Sequence, residues 1–188
     1  MNSELLKLCQ YLKISPAKDL VREISLCKKT NELTLISTRD RILALLEFLR
    51  DDPRCCFEML IDICAVDKIL LQSNGGGAVS DRFEIVYNML SVKLKNRIRV
   101  KVDVPEGGGV SSVTGLFAGA DWYEREAWDM YGIIFDGHPN LVRILTDYDF
   151  KDGHPLRKDF PLGGYTEVRY DDGLRCVKQK VRKNFDEE

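Results

Sequence analysis

Arg97-Ile98-Arg99-Val100-Lys101-Val102-Asp103-Val104 is the stretch that decides the fold. Apolar and charged residues alternate without a break. Ile98, Val100, Val102 and Val104 therefore share one face, and Arg97, Arg99, Lys101 and Asp103 the other. This pattern predicts a strand with one dry and one wet face, as in an antiparallel sheet covered on one side. Just upstream, Phe83 to Leu90 reads as a second strand. Further back, Ile24 and Leu26 alternate with Glu23 and Ser25, and Leu33 and Leu35 with Glu32 and Thr34. Lys29-Thr30-Asn31 between them reads as a hairpin turn. Helical spacing frames these runs. Leu5, Leu8, Cys9 and Leu12 predict an opening helix that stops at Ile14-Ser15-Pro16. Ile42, Leu45, Leu46 and Leu49 predict a helix from about Arg39 to Arg50, capped by Ser37 or Thr38 and ended by Asp51-Asp52-Pro53. Phe57, Leu60, Ile61 and Cys64 predict a short third helix before Ala65-Val66-Asp67. Asn74-Gly75-Gly76-Gly77 and Pro105 to Gly109 read as loops. The order is helix, hairpin, two helices, hairpin, helix. It implies an α+β two-layer domain over residues 1–132, with helices on a mixed sheet.

Composition narrows the function classes. A chain of 188 residues with 44% hydrophobic and 31% charged content suits one soluble domain with an appendage. Its net charge of −2 lacks the basic surplus of a nucleic-acid binder. Charge is uneven: Asp121 to Asp172 holds twelve acidic and six basic residues, while the 120 residues before it are nearly balanced. The six cysteines (Cys9, Cys27, Cys55, Cys56, Cys64 and Cys176) include no CxxC pair. They read as reduced structural thiols, with no clustered set for an iron–sulfur centre. No apolar run approaches the roughly 20 residues of a membrane span. The N-terminus lacks the basic and apolar regions of a signal peptide. Glu4 comes early and the first arginine is Arg22, so it also makes a poor transit peptide. The expectation is synthesis in the compartment where the protein works.

Residues 121–132 read Asp-Trp-Tyr-Glu-Arg-Glu-Ala-Trp-Asp-Met-Tyr-Gly. Asp121 as N-cap with Glu124 three residues on predicts a capping box. Tyr123, Ala127, Met130 and Tyr131 form an apolar stripe, and Arg125 and Asp129 an i, i+4 pair on another face. Gly132 is placed to end the helix in a left-handed conformation. Beyond it, Asp-Gly-His-Pro occurs twice, at 136–139 and 152–155, and Gly, Pro and charged residues dominate. Periodicity is lost, so residues 133–188 read as an extended segment, disordered or laid along a partner. The run from Lys178 to Lys183 reads as a solvated end.

YEREAWDMYGI, then HP, RILTDY, GHPLRKDFPL and GYTEVRYDD closely resemble the thirty-kilodalton subunit of respiratory complex I, also called NADH dehydrogenase subunit 9 and, in bacteria, the C-type subunit, and a weaker resemblance runs through residues 57–67 and Arg82-Phe83-Glu84-Ile85-Val86-Tyr87-Asn88. The strong match runs from Asp121 to Asp172. Val142 departs from the basic residue of most relatives, and Ala65 from a frequent glycine. The resemblance implies a structural subunit of the peripheral arm, with no redox centre of its own and no activity when isolated. Its extended C-terminal segment is expected to wrap the quinone-site subunit, of the forty-nine-kilodalton type. FMN and iron–sulfur clusters are expected elsewhere in the assembly, as are the other peripheral-arm partners. Glu124, Arg125, Glu126, Asp129, His138, Arg143, His154, Arg157, Lys158, Asp159 and Arg169 are the expected partner contacts. The expected location is the matrix side of the mitochondrial inner membrane, or the cytoplasmic face of a bacterial inner membrane, peripheral and without a span of its own. No nucleic acid, catalytic residue, cofactor or metal is expected on this chain.

Two other readings compete. The same subunit type serves hydrogenase-like or ferredoxin-driven relatives of the complex. An independent metal-assisted hydrolase could use His138 and His154, the only histidines in the sequence. Both histidines lie in Gly-Pro loops with no spacing to fix a ligand geometry, which favours hydrogen-bonding roles. Glu124 and Glu126, at i, i+2 on a helix, point to different faces and make a poor acid/base pair. The glycine runs at 75–77 and 107–109 match neither a P-loop nor a dinucleotide fingerprint.

Overall fold

A computed structural model describes residues 3–27, 32–69 and 81–181. Five strands form the central sheet: β1 (Val21–Cys27), β2 (Glu32–Ser37), β3 (Met59–Asp67), β4 (Phe83–Ser91) and β5 (Asn96–Val104). Their spatial order is β1-β2-β5-β4-β3. Only β2 and β5 run parallel, so the sheet is mixed. The alternation in β5 carries across every strand, because register places like residues side by side. Ile24, Leu35, Val100, Tyr87 and Ile63 form one transverse row, and Leu26, Leu33, Ile98, Met89 and Leu60 another. Helix α1 (Ser3–Ile14) contributes Leu5, Leu8, Cys9 and Leu12 to the core over these rows. Helix α2 (Ile42–Asp51) adds Ile42, Leu45, Leu46 and Leu49, each fully buried. Each such side chain contributes roughly 1.5–3 kcal/mol by leaving water. The opposite face is wet and carries Lys101–Glu84 and Arg99–Glu32 ion pairs.

Several expectations need correction. Residues 59–67 form strand β3, not a helix. Ile61 is an extra residue in the β3–β4 ladder, where the register shifts between Leu60 and Asp62. That bulge puts inward-facing Leu60 and Ile63 three apart, which mimics helical spacing. Before α2, Arg39–Arg41 form a 3-10 turn, and neither Ser37 nor Thr38 caps it. Ser37, buried at the end of β2, donates to the Leu20 carbonyl at 2.7 Å instead. The loop ending at Gly109 runs straight into β6 (Gly109–Ser111), which pairs in parallel with β7 (Ile134–Asp136). A β-carbon on Gly109 would lie 2.5 Å from an Asp136 carboxylate oxygen, so the close approach needs glycine. The hairpin turn at 29–31 and the 74–77 loop lie outside the described residues.

Helix α3 (Ala120–Tyr131) packs beside β3 and adds Ala120 and Ala127 to the core. The chain beyond it is neither disordered nor detached through residue 160. It returns over α3 through bonds described below. Strands β8 (Thr166–Asp171) and β9 (Cys176–Val181) then form a separate antiparallel ribbon. Lys178 therefore lies in a strand, with its side chain still partly exposed, and residues 182–183 of the expected solvated end lie outside the described residues.

Candidate docking surface around helix α3

Helix α3 organises the C-terminal half through two fully buried carboxylates. Glu124 is not a capping-box residue. Its oxygens accept the Ser112 hydroxyl at 2.6 Å and the Val113 N–H at 2.7 Å, which pins the β6–α3 connection to the helix. Gly119 occupies the N-cap, and no side chain caps the helix. Burial raises the Glu124 carboxyl above its ordinary range, against the two hydrogen bonds and the nearby His138.

Asp129 does not pair with Arg125. One of its oxygens accepts three successive backbone N–H groups, from Ile144, Leu145 and Thr146, at 3.1, 2.9 and 2.9 Å. The other accepts the Thr146 hydroxyl at 2.6 Å and Arg143 at 2.7 Å. Burial alone would raise this carboxyl. The Thr146 hydroxyl and the row of N–H groups outweigh burial and hold it well below the usual carboxylate range. Arg125 reaches outward along the same helix face and donates to the Val142 and Arg143 carbonyls at 3.1 and 2.9 Å. Residues 142–146 are thus strapped along α3 from both sides. Arg143 also stacks over Trp128 and Phe150.

A helix end leaves its last carbonyls without partners. At the end of α3 all four are met. Gly132 N–H bonds the Trp128 carbonyl at 2.8 Å, and His154 Nδ1 bonds that of Asp129 at 2.9 Å. Leu156 N–H bonds that of Met130 at 3.1 Å, and Arg157 Nε that of Tyr131 at 2.7 Å. The positive Arg157 also complements the helix dipole. Gly132 takes φ 78°, the expected left-handed terminus. A β-carbon there would also stand 2.6 Å from both His154 and Arg157. The bond to a carbonyl requires His154 to carry its proton on Nδ1. Burial pushes this imidazole toward its neutral form, and the Arg157 and Arg143 charges add to that.

The doubled Asp-Gly-His-Pro has a structural reading. His138 bonds the Asp121 carbonyl at 3.2 Å near the start of α3, while His154 bonds Asp129 near its end. The two histidines clamp opposite ends of one helix and share no ligand position, so the hydrolase reading is not favoured. Among the described residues no three His, Cys, Asp or Glu side chains stand together as a metal site.

Sequence reasoning missed the network that fixes residues 157–160. Arg82 forks onto Asp67 at 2.8 and 3.2 Å, and bonds Asp159 at 2.7 Å and Glu106 at 2.8 Å. Lys158 N–H also donates to Asp67 at 3.0 Å. Burial would raise Asp67, but Arg82 and the backbone donors bring it below its ordinary value. Asp159 is lowered by its bond to Arg82. The signal was present: Asp67 and Arg82 both stand in the weaker stretches of the resemblance. Of the expected contacts, Arg125, Asp129, His138, Arg143, His154, Arg157 and Asp159 are spent on this chain, as is Glu124. Glu126, Lys158 and Arg169 are exposed and form no ion pair among the described residues.

The sequence profile described as respiratory-chain NADH dehydrogenase, 30 Kd subunit, matches residues 35–166. The chain belongs to this family. The C-type subunit of NADH-quinone oxidoreductase from Azorhizobium caulinodans is 54% identical over 161 residues, covering 82% of this chain and 72% of that protein. The same subunit from Rhizobium rhizogenes is 51% identical over 165 residues, covering 84% and 78%. Among solved structures, a trypsin-resistant fragment of Nqo5 is similar with a TM-score of 0.57 and 27% identity, over 73% of this chain and 99% of the fragment. A chain of an archaeal membrane-bound sulfane sulfur reductase shares the fold, with a TM-score of 0.63 at 23% identity over 84% of each chain. The clamped segment 138–160 lies within the matched residues.

Proposed function

We propose that this chain is a structural subunit of the peripheral arm of a respiratory NADH:quinone oxidoreductase. It docks on the quinone-site subunit and holds no redox centre of its own. FMN and iron–sulfur clusters then belong to other subunits of the assembly. The observation that carries the docking role is a division of labour after residue 121. Eight of the charged and histidine side chains expected at the partner interface are spent on the chain itself and fix the path of the backbone. Large apolar side chains face out: thirteen are exposed between Trp122 and Val181, against six in all the described residues before them. Leu162, Tyr148, Val181 and Val168 are among the most exposed. Exposed apolar side chains gathered in one part of a chain are what an interaction surface presents.

The β8–β9 ribbon supports the same reading. Val168, Tyr170, Val177 and Val181 are exposed on one of its faces, and a lone two-stranded ribbon is marginal in water. The partner-binding segment we propose is therefore the outer surface of 138–162 together with this ribbon. Glu126, Lys158 and Arg169 make direct contacts, and the remaining expected residues hold that surface in shape. No described helix is long and apolar enough to cross a membrane. Attached through partners, the chain lies on the matrix face in a mitochondrion or on the cytoplasmic face in a bacterium. The relatives named above are bacterial. High identity to quinone oxidoreductase subunits favours that machine over a hydrogenase-like or ferredoxin-driven relative.

Lysine-directed cross-linking of the purified assembly tests this reading. Lys151 and Lys158 should link to the quinone-site subunit. Links from them to solvent-facing or unrelated proteins alone would refute the docking role.

A further inference from the structure

We infer that the partner face meeting helix α3 is an apolar floor with a cationic rim. This rests on the docking role proposed above and adds the chemistry of the surface it requires.

Helix geometry defines the patch. Arg125 and Asp129 lie one turn apart and hold residues 142–146 against the helix. Trp122 and Glu126, also one turn apart, occupy the adjoining stripe, so they border the strapped segment. Trp122 is 67% exposed and Leu145 63%. Val142 and Tyr148 are exposed as well. Tryptophan and tyrosine are among the residue types that most often anchor a protein interface, and the exposed leucine and valine add apolar area beside them.

Charge on this patch is mainly negative. Glu126, Asp147 and Asp149 are exposed and enter no ion pair among the described residues. The arginines within residues 121–150 are Arg125 and Arg143. The first is spent on backbone carbonyls and the second on Asp129. Lys151, exposed at the edge of this segment, offsets at most one of the three carboxylates. Hydrogen bonds through Asp129 and the turn bond from Phe150 N–H to the Asp147 carbonyl keep Asp147 close to the helix. Three unpaired carboxylates around an aromatic–aliphatic centre would be repelled by anionic lipid or an acidic protein face. Lysine or arginine around an apolar floor complements them and sets orientation on encounter.

The test uses the full-length tagged chain in cells that assemble the complex. Retention in the NADH-oxidising assembly is measured across a series of salt washes. Glu126→Gln, Asp147→Asn and Asp149→Asn are combined in one variant, with folding checked by circular dichroism. The wild type should be released as salt rises. The combined variant should bind about tenfold more weakly at low salt and lose most of its salt dependence, because exposed charges are screened. Unchanged retention with the wild-type salt slope overturns the cationic rim, as does tighter retention of the variant. Trp122→Ala with Leu145→Ala separates the two claims. If that pair releases the chain while the neutralised variant does not, only the rim chemistry is wrong. If neither affects retention, the docking role of this surface fails with it.

Discussion

Replacing Asp129 with alanine removes the acceptor of five hydrogen bonds at once, three from backbone N–H groups of residues 144–146, one from Thr146 Oγ1 and one from Arg143. Breaking a buried charge pair by deleting one partner costs about 3–5 kcal/mol. Each donor left buried and unmet adds about 1–3 kcal/mol when water cannot reach it. Leu145 is 63% exposed, so water can reach this segment once it lifts, and the cost falls near the lower bound, about 3 kcal/mol. For a domain of this size that lowers Tm by roughly 6–12 °C. Denaturant unfolding gives the loss, and hydrogen exchange locates it. The amides of Ile144, Leu145 and Thr146 should be protected in the wild type and exchange freely in the variant. A loss below about 0.5 kcal/mol, in the range of ordinary surface substitutions, would refute the clamp. So would unchanged protection of those amides. The pH dependence has a definite sign. The folded Asp129 carboxyl lies well below its unfolded value, so its contribution is complete above about pH 4 and is lost as pH falls toward the folded value. Asp67 and Asp159 are lowered in the same direction and lose their contributions in the same acid window. The alanine variant should therefore show a shallower acid limb than the wild type.

Three further perturbations follow from the same contacts. Arg82→Ala strands the fully buried Asp67 carboxylate and frees Asp159, and should cost on the order of 3–5 kcal/mol in denaturant unfolding; a near-neutral result would show that water replaces the guanidinium. Gly132→Ala meets both a left-handed backbone and two side chains at 2.6 Å, so the loss should exceed the roughly 1–2 kcal/mol of the conformation alone. Proteolysis within 154–162 should also accelerate in that variant. Glu124→Gln can still accept Val113 N–H and donate to the Ser112 hydroxyl, which can turn its own proton toward Thr114 Oγ1 at 2.9 Å. Because Glu124 is raised by burial, its ionisation weakens the fold as pH climbs through the folded value. The glutamine variant should match or exceed the wild type at neutral pH and lose that slope, whereas a sharp destabilisation at every pH would show that the negative charge itself is needed.

How much of this could be read from the chain depends on the range of the interaction. Strands β4 and β5 were legible because alternation is local, and β1, β2, α1 and α2 for the same reason. Strand β3 was misread because a single bulged residue, Ile61, broke the alternation. The end of α3 at Gly132 was visible because a left-handed terminus calls for glycine. Its N-terminal carboxylate was misassigned, because whether Glu124 turns back on its own helix or across to residues 112–113 is decided by tertiary packing. The Arg125–Asp129 spacing failed likewise: a nest of three N–H groups outbids one exposed helical ion pair, which is worth only about 0.3–0.5 kcal/mol. The segment after Gly132 lacked periodicity because it is built from turns and carboxylate clamps. Its order comes from contacts 14 to 91 residues apart, such as Arg143 with Asp129 and Lys158 with Asp67.

The central claim is that this surface exists to be covered by the rest of a redox assembly. Affinity purification of the tagged chain in mild detergent, followed by a native gel stained for NADH oxidation, tests it most directly. The account predicts that the chain migrates in a very large NADH-oxidising species that includes the quinone-site subunit. Migration as a small, inactive species, with that subunit assembled elsewhere without it, would contradict the account.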